Sequence, residues 1–279
     1  MTANDAMAGT GATAGAGAMT GGEARPVSVV TGGASGIGAA CAAALAARGD
    51  RVAIVDLDGD GASREAQRLG ARAYRCDVAD EASVRRTAER IDEEMGPVGV
   101  LVNSAGIIQR PLPPGELSMR DWDRVIAVDQ RGTYLCCVAF GEAMARRGRG
   151  CIVNIASITG QRSVPLHAYA PAKAAVAAIT ECLAAEWGRS GVRVNAVSPG
   201  YTLTPALQAA IDAGQRDPAV LAQNSALGRL VRPDDIAQAV LFLTSEASAA
   251  ITGVNLPVDA GWLLAGSWHT YGGVRPARG

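Results

Sequence analysis

Lysine is almost missing from this chain: 25 arginines stand beside a single lysine, Lys173. The formal net charge is −1 and no basic run is present, which argues against nucleic acid as a partner. No apolar stretch approaches the roughly 18 residues of a membrane span, so none is expected. The six cysteines (Cys41, Cys76, Cys136, Cys137, Cys151, Cys182) include no C-x-x-C pair and no nearby histidine. Buried free thiols are therefore expected in preference to disulfides, and no metal site. Large apolar side chains are scarce in residues 1–25, which are mostly Gly, Ala and Thr. Such a segment buries too little to offset ordering entropy, and a disordered leader is expected. It also has neither the basic start nor the apolar core of a secretion signal, which points to the cytoplasm.

What remains is ordinary globular material: 279 residues, 48% hydrophobic and 19% charged. That length suits one large domain or two small ones. The stretch from Val27 to Gly38, V-S-V-V-T-G-G-A-S-G-I-G, reads as a strand running into a glycine turn, and the Ala-rich segment 39–48 then has helical composition. Glycine lets the backbone approach a ligand, and a helix start offers free N–H groups, so the pattern suits a phosphate-bearing cofactor. Its spacing is neither the dinucleotide G-x-G-x-x-G nor a Walker loop. Alone it is weak.

Further along, apolar runs of four to six residues alternate with helical segments. Strands are expected at Arg51–Asp56, Ala71–Arg75, Val100–Asn103, Cys151–Ala156, Val192–Val197 and Asn255–Val258. Helices are expected at Gly59–Leu69, Asp80–Met95, Ser118–Arg147, Tyr169–Arg189 and Asp234–Ser245. This alternation predicts β-α-β units in one doubly wound α/β domain. Asp56 ends the second strand, 18 residues beyond Gly38. A carboxylate there can accept hydrogen bonds from ribose hydroxyls and repels a 2′-phosphate. Ser35, before Gly36, offers no arginine to hold such a phosphate, so NAD is expected over NADP.

Ser157 and the run Tyr169-Ala170-Pro171-Ala172-Lys173 form a second constellation. Tyrosine and lysine four apart share a helix face. Bringing a phenol from a pKa near ~10 to about 7 takes roughly 4 kcal/mol. An ammonium about 4 Å away at an effective dielectric near ~20 supplies that order of energy. Y-x-x-x-K is common on solvated helices, but here the lysine is the chain's only one. Ser157 could hold a substrate oxygen while Tyr169 exchanges a proton with it.

Taken together, T-G-G-A-S-G-I-G (residues 31–38), N-S-A-G (103–106), Ser157, Y-A-P-A-K (169–173) and S-P-G-Y-T-L-T (198–204) resemble the short-chain dehydrogenase/reductase family, classical type. The resemblance covers residues 26–261 and implies a Rossmann-like seven-stranded parallel sheet with a nicotinamide cofactor. It implies that Ser157 orients substrate, Tyr169 is the acid/base, and Lys173 binds the nicotinamide ribose while lowering the tyrosine pKa. By the same carry-over the cofactor is held by Gly32, Ser35, Gly36, Ile37, Gly38, Asp56, Asp77, Val78, Asn103, Ala105, Gly106, Pro199, Gly200 and Thr204. Homotetramers built on two long helices are usual in the family. Two positions depart from its pattern. Asp129 stands where an asparagine is expected, and Ser157 precedes Tyr169 by 12 residues, one fewer than is common. The resemblance implies that the residue at this position disturbs the regular turn of its helix and that its main-chain carbonyl holds a water leading to the lysine, a role that an aspartate can share. A carboxylate close to Lys173 would favour the protonated lysine and oppose ionisation of Tyr169.

The substrate mouth is expected to draw on Gln109, Arg110, Thr159, Gln161, Arg162, His167 and Tyr201. That polar set favours a small sugar- or polyol-like alcohol interconverted with its ketone. A 3-oxoacyl thioester reductase and a cofactor-binding regulator without turnover are the alternatives. The tail, residues 262–279, carries Trp262, Trp268, His269 and Tyr271 and is expected to pack near the cleft or on a neighbouring subunit.

Overall fold

The computed structural model describes residues 25–275, so the expected leader lies, except for Arg25, outside the described residues. Seven strands form one parallel sheet: β1 (Val27–Thr31), β2 (Arg51–Asp56), β3 (Arg72–Arg75), β4 (Val98–Asn103), β5 (Gly150–Ile155), β6 (Val192–Pro199) and β7 (Asn255–Val258). Their order is β3-β2-β1-β4-β5-β6-β7. The chain winds outward from β1 to β3, then returns to place β4 on the other side of β1. That reversal leaves a crevice at the carboxyl ends of β1 and β4, where such sheets take ligands.

Helices cover both faces, which is why the strands are nearly continuous apolar runs. Successive residues point to opposite sides. Val29 and Leu101 join a core with Phe140, Ile152 and Trp187. Val30 and Val102 join a second core with Leu45, Ile54 and Ile236. The helices are α1 (Gly36–Arg48), α2 (Gly59–Leu69), α3 (Glu81–Met95), α4 (Met119–Val125), α5 (Thr133–Arg146), α6 (Tyr169–Trp187), α7 (Pro205–Asp212), α8 (Pro218–Gln223), α9 (Pro233–Leu243) and α10 (Trp262–Ala265). Local chemistry sets their ends. The Asp80 carboxylate accepts from Ala82 N at 3.1 Å to start α3, and α1 stops at Gly49 in the left-handed region, φ 101°.

The long helix expected over 118–147 is interrupted. Residues 126–132 form a π-helical turn between α4 and α5. Asp129 sits in that turn, fully buried, and its main-chain oxygen accepts from Thr133 Oγ1 at 2.8 Å. Single π turns of this kind collect at functional sites. Composition does not mark it, since helical patterning continues on both sides, but the resemblance implies a disturbed turn at Asp129. The thiols also differ in one case: five of the six cysteines are buried, and Cys182 is exposed. It lies on an outer groove formed with Tyr134, Ala175 and Ala178, which nothing among the described residues covers. Burial pushes the Cys41 and Cys137 thiols up to about 12, so they behave as core side chains.

Candidate active site

The cradle at the end of β1 is built from backbone. A Cβ at Gly32, which has φ +65°, would lie 2.7 Å from Ala105 N and Cα. One at Gly38 would land on the Gly32 carbonyl oxygen, and Gly36 has φ +56°. Glycine at Gly32 thus lets the turn close on the segment after β4, and Gly38 lets α1 start against the turn. Thr31 Oγ1 accepts from Ser104 N at 3.1 Å and Ala105 N at 3.2 Å, tying the two segments together. Asp56 braces the turn from the far side, accepting from Ala34 N and Asp58 N, each at 3.0 Å. Thr204 starts α7 and faces the turn, its Cγ2 being 3.5 Å from the position of a Cβ on Gly36. Ser35 precedes α1 without a side-chain cap hydrogen bond.

Across the crevice lie the side chains expected to react. Ser157 follows β5, and its hydroxyl oxygen accepts from Thr159 N at 3.2 Å and Thr159 Oγ1 at 3.0 Å. Tyr169 opens α6 and is half-buried. One turn on, Lys173 Nζ stands 5.4 Å from the centroid of the tyrosine ring. The ammonium is buried, donates to Ile155 O at 3.0 Å, and lies 3.2 Å from Asp129 Oδ2. Asp129 Oδ1 accepts from Ile107 N at 2.9 Å. The lysine expected near Tyr169 is therefore also half of a buried ion pair.

These charges act on the phenol in opposite senses. Burial pushes the Tyr169 phenol up, Lys173 pulls it down, and Asp129 pushes it up again, with the balance above the usual tyrosine value. The expectation that lysine lowers the phenol holds for that one influence only. Burial works against the Lys173 ammonium, but the carboxylate beside it holds its pKa above the ordinary lysine value. Burial raises the Asp129 carboxyl, and Lys173 and the Ile107 N–H oppose the rise.

Comparison with known proteins places this architecture. Residues 32–263 match the family model described as enoyl-(acyl carrier protein) reductase. D-threitol dehydrogenase of Mycolicibacterium smegmatis is 44% identical over 85% of this chain and 93% of that protein. The chain is a short-chain dehydrogenase/reductase. Other relatives include cis-4-hydroxycyclohexanecarboxylate dehydrogenase of Sinomonas cyclohexanicum, 43% identical over 85% of this chain and 96% of that protein. Galactitol 2-dehydrogenase of Rhizobium johnstonii is 39% identical over 84% and 93% respectively. Among solved structures, one named ribose-5-phosphate isomerase from Brucella melitensis 16M superposes with a TM-score of 0.89 at 54% identity, covering 90% of this chain and 98% of that one. A 3-ketoacyl-(acyl-carrier-protein) reductase from Brucella melitensis, complexed with NADH, reaches 0.80 at 33% identity over 85% and 98%. The protein ElxO with NADP bound reaches 0.82 at 31% identity over 86% and 99%.

The cradle of this dehydrogenase/reductase suits a nicotinamide dinucleotide, since Gly32 and Gly38 let backbone pack directly on backbone and, with Gly36 at φ +56°, leave main chain rather than side chains at the start of α1. The remaining expected positions distribute around it. Asp77 is exposed after β3 and accepts from Ala79 N at 2.9 Å, with Val78 buried beside it. Ile37 packs into the core beneath α1, Ala105 into the core beneath β4, and Gly106 presses on Asp129 and Lys173. Pro199 ends β6, and Gly200 is closed in by Asp259. The Asn103 side chain turns inward, donating to Asn154 Oδ1 at 2.9 Å.

One site residue was missed in kind. Gln109, expected at the mouth, is buried, and its Oε1 accepts from Ala168 N at 2.6 Å and Tyr169 N at 3.0 Å. It caps the helix that carries the tyrosine from 60 residues away. No local motif could signal this, because Ala168, the residue before the helix, has no side chain able to cap. At the far edge Trp262 meets Tyr201 edge-on, with ring centroids 5.6 Å apart.

Proposed function

We propose that this protein is an NAD-dependent dehydrogenase that interconverts a secondary alcohol and its ketone on a small polyhydroxylated substrate. The observation that carries the reading is the grouping of Ser157, Tyr169 and Lys173 across the crevice from a glycine cradle braced by Asp56. When bound, the nicotinamide would accept hydride from the alcohol carbon. The Ser157 hydroxyl would hold the substrate oxygen, and the Tyr169 hydroxyl would take its proton during oxidation or return it during reduction. Lys173 would bind the nicotinamide ribose and favour the ionised phenol. Asp56 would accept from the ribose hydroxyls and turn away a 2′-phosphate, which supports NAD over NADP.

The threitol and galactitol dehydrogenases support a polyol, and the cyclic alcohol of a third relative widens the class to secondary alcohols. We take residues 26–261 as the catalytic domain and the tail from Trp262 as a wall of its cleft, on the strength of the Trp262–Tyr201 contact. The groove with Cys182 suits a homotetramer joined through α5 and α6. A second reading, reduction of 3-oxoacyl thioesters, draws support from one structural relative. The family model, described as an enoyl-(acyl carrier protein) reductase, shares the acyl-thioester class but names reduction of a carbon–carbon double bond. Tetritols, hexitols, cyclic secondary alcohols and 3-hydroxyacyl thioesters, each with NAD and with NADP, should separate the two by reduced-cofactor absorbance. Polyol turnover with NAD preferred is expected. Thioester turnover alone would overturn the substrate, and equal efficiency with both cofactors the NAD preference. Conversion of ribose 5-phosphate without cofactor would replace the redox reading with isomerisation.

A further inference from the structure

The departure at Asp129 gains its meaning from its surroundings. Aspartate is fully buried, Lys173 is 5% exposed, and their charged atoms are 3.2 Å apart. A carboxylate in a dry site costs much more than an amide of the same shape unless a cation meets it. Here the cation that meets it is the chain's single lysine. The pair is held at three further points: Ile107 N on Oδ1, Ile155 O on Nζ, and Thr133 Oγ1 on the Asp129 carbonyl. Glycine at 106 is part of the fit, since a Cβ there would lie 2.9 Å from Oδ2. An asparagine could keep the Ile107 bond and the Thr133 bond. Only the carboxylate supplies a charge.

We propose that Asp129 is a positioning residue that anchors Lys173 by a buried ion pair and, by sharing the ammonium's charge, sets the pH at which Tyr169 ionises. The inference rests on the dehydrogenase reading only for its consequence, an oxidation rate that rises at higher pH than an amide would allow. From α6 the group faces Tyr169 and Lys173, and from the π turn it is Asp129 itself. Arg131 of that turn points away to Ala79 O. The segments after β4 and β5 contribute Ile107 N, Ile155 O and the Ser157 hydroxyl, none of them titrating here. No other charged side chain among the described residues pairs with any of the three.

The sign is fixed by electrostatics. A negative charge near the phenol opposes phenolate, and an ammonium already paired relieves it less. Lys173 loses one anion when an amide replaces the carboxylate but keeps the Ile155 carbonyl and the phenolate, both of which favour its proton. With the ammonium retained, that replacement removes the opposition and leaves the ammonium's attraction to the phenolate undivided. Near-ultraviolet phenolate absorbance, titrated in the wild-type protein and in Tyr169→Phe, isolates the Tyr169 step by difference. The same pair of titrations in an Asp129→Asn background gives the comparison. We expect the Tyr169 step to move to lower pH by about one unit in Asp129→Asn. Superimposable steps, or a step moved to higher pH, would overturn the proposal. This titration needs no substrate, so it stands even if no alcohol is turned over. With a substrate in hand, the rising limb of kcat for oxidation should shift the same way and by the same amount. A limb that stays put while the titration moves would sink the dehydrogenase role of Tyr169 and leave the ion pair intact.

Discussion

The two sides of the crevice are built on different principles. On the β1 side, the cradle is defined by side chains that are missing: Gly32, Gly36 and Gly38 bring backbone against backbone, and Thr31 and Asp56 brace it by accepting from main-chain N–H groups. On the β5–α6 side, the site is defined by side chains that are present and ionisable: Asp129 and Lys173, charged and buried, beside the half-buried Tyr169 phenol. The first is a problem of space, the second of charge. They should therefore fail differently. A methyl group should ruin the cradle and barely disturb the phenol, whereas an isosteric change should silence the phenol without touching the cradle.

Tyr169→Phe sharpens that contrast most. Loss of one hydroxyl should lower turnover by ~100-fold or more, while cofactor affinity stays within about twofold. Stopped-flow or steady-state rates beside NADH titration would check it, and activity within roughly tenfold of wild type would remove the tyrosine from the acid/base role.

Gly38→Ala attacks the other side. The added methyl would meet the Gly32 carbonyl, so α1 must shift from the turn. Overpacking of this kind costs about 1–3 kcal/mol of stability, and cofactor binding should weaken well beyond twofold. Thermal unfolding and NADH titration give the two readouts, and unchanged values for both would show that the turn is looser than described.

Gln109→Leu probes the join between the regions, since this residue leaves the β4 side to cap α6. Two buried N–H groups would lose their acceptor, at about 1–3 kcal/mol, and kcat should fall more than the KM for cofactor rises. Gln109→Glu keeps an acceptor at the helix start and should recover part of the loss. Equal loss in both variants would mean that the site needs the amide itself.

Ala260→Gly is the smallest expected effect. Ala260 has φ 53°, in the left-handed region, on the turn that follows β7. Glycine should relieve about 0.5 kcal/mol net of its own entropy cost, raise the unfolding temperature slightly, and leave rates alone. A fall in stability would show that the alanine methyl packs usefully.

The sequence was legible where a structure repeats along the chain. β2 at Arg51–Asp56, α2 at Gly59–Leu69 and β7 at Asn255–Val258 fall where composition and end signals put them, because each element is decided by its own residues. The glycine turn was legible for the same reason, and Tyr169 with Lys173 because four residues on a helix is one turn. The π turn at Ile126–Gly132 was legible only through the family resemblance, which implies a disturbed turn at Asp129; helical composition continues through it and gives no sign of its own.

By itself, then, the sequence determined the order of strands and helices, the family and the glycine turn, and it singled out Ser157, Tyr169 and Lys173 as the candidate reactive groups. These depend on neighbours close in the chain, where periodicity, capping and steric freedom act. The resemblance set Asp129 near Lys173, but tertiary structure decided that the two, 44 residues apart, would meet directly in a dry ion pair, and that Gln109 would cap a helix 60 residues away. Burial converts a spacing into an energy: the same carboxylate on a solvated helix would be screened to near insignificance, and here it bears directly on the charge of the lysine and the phenol.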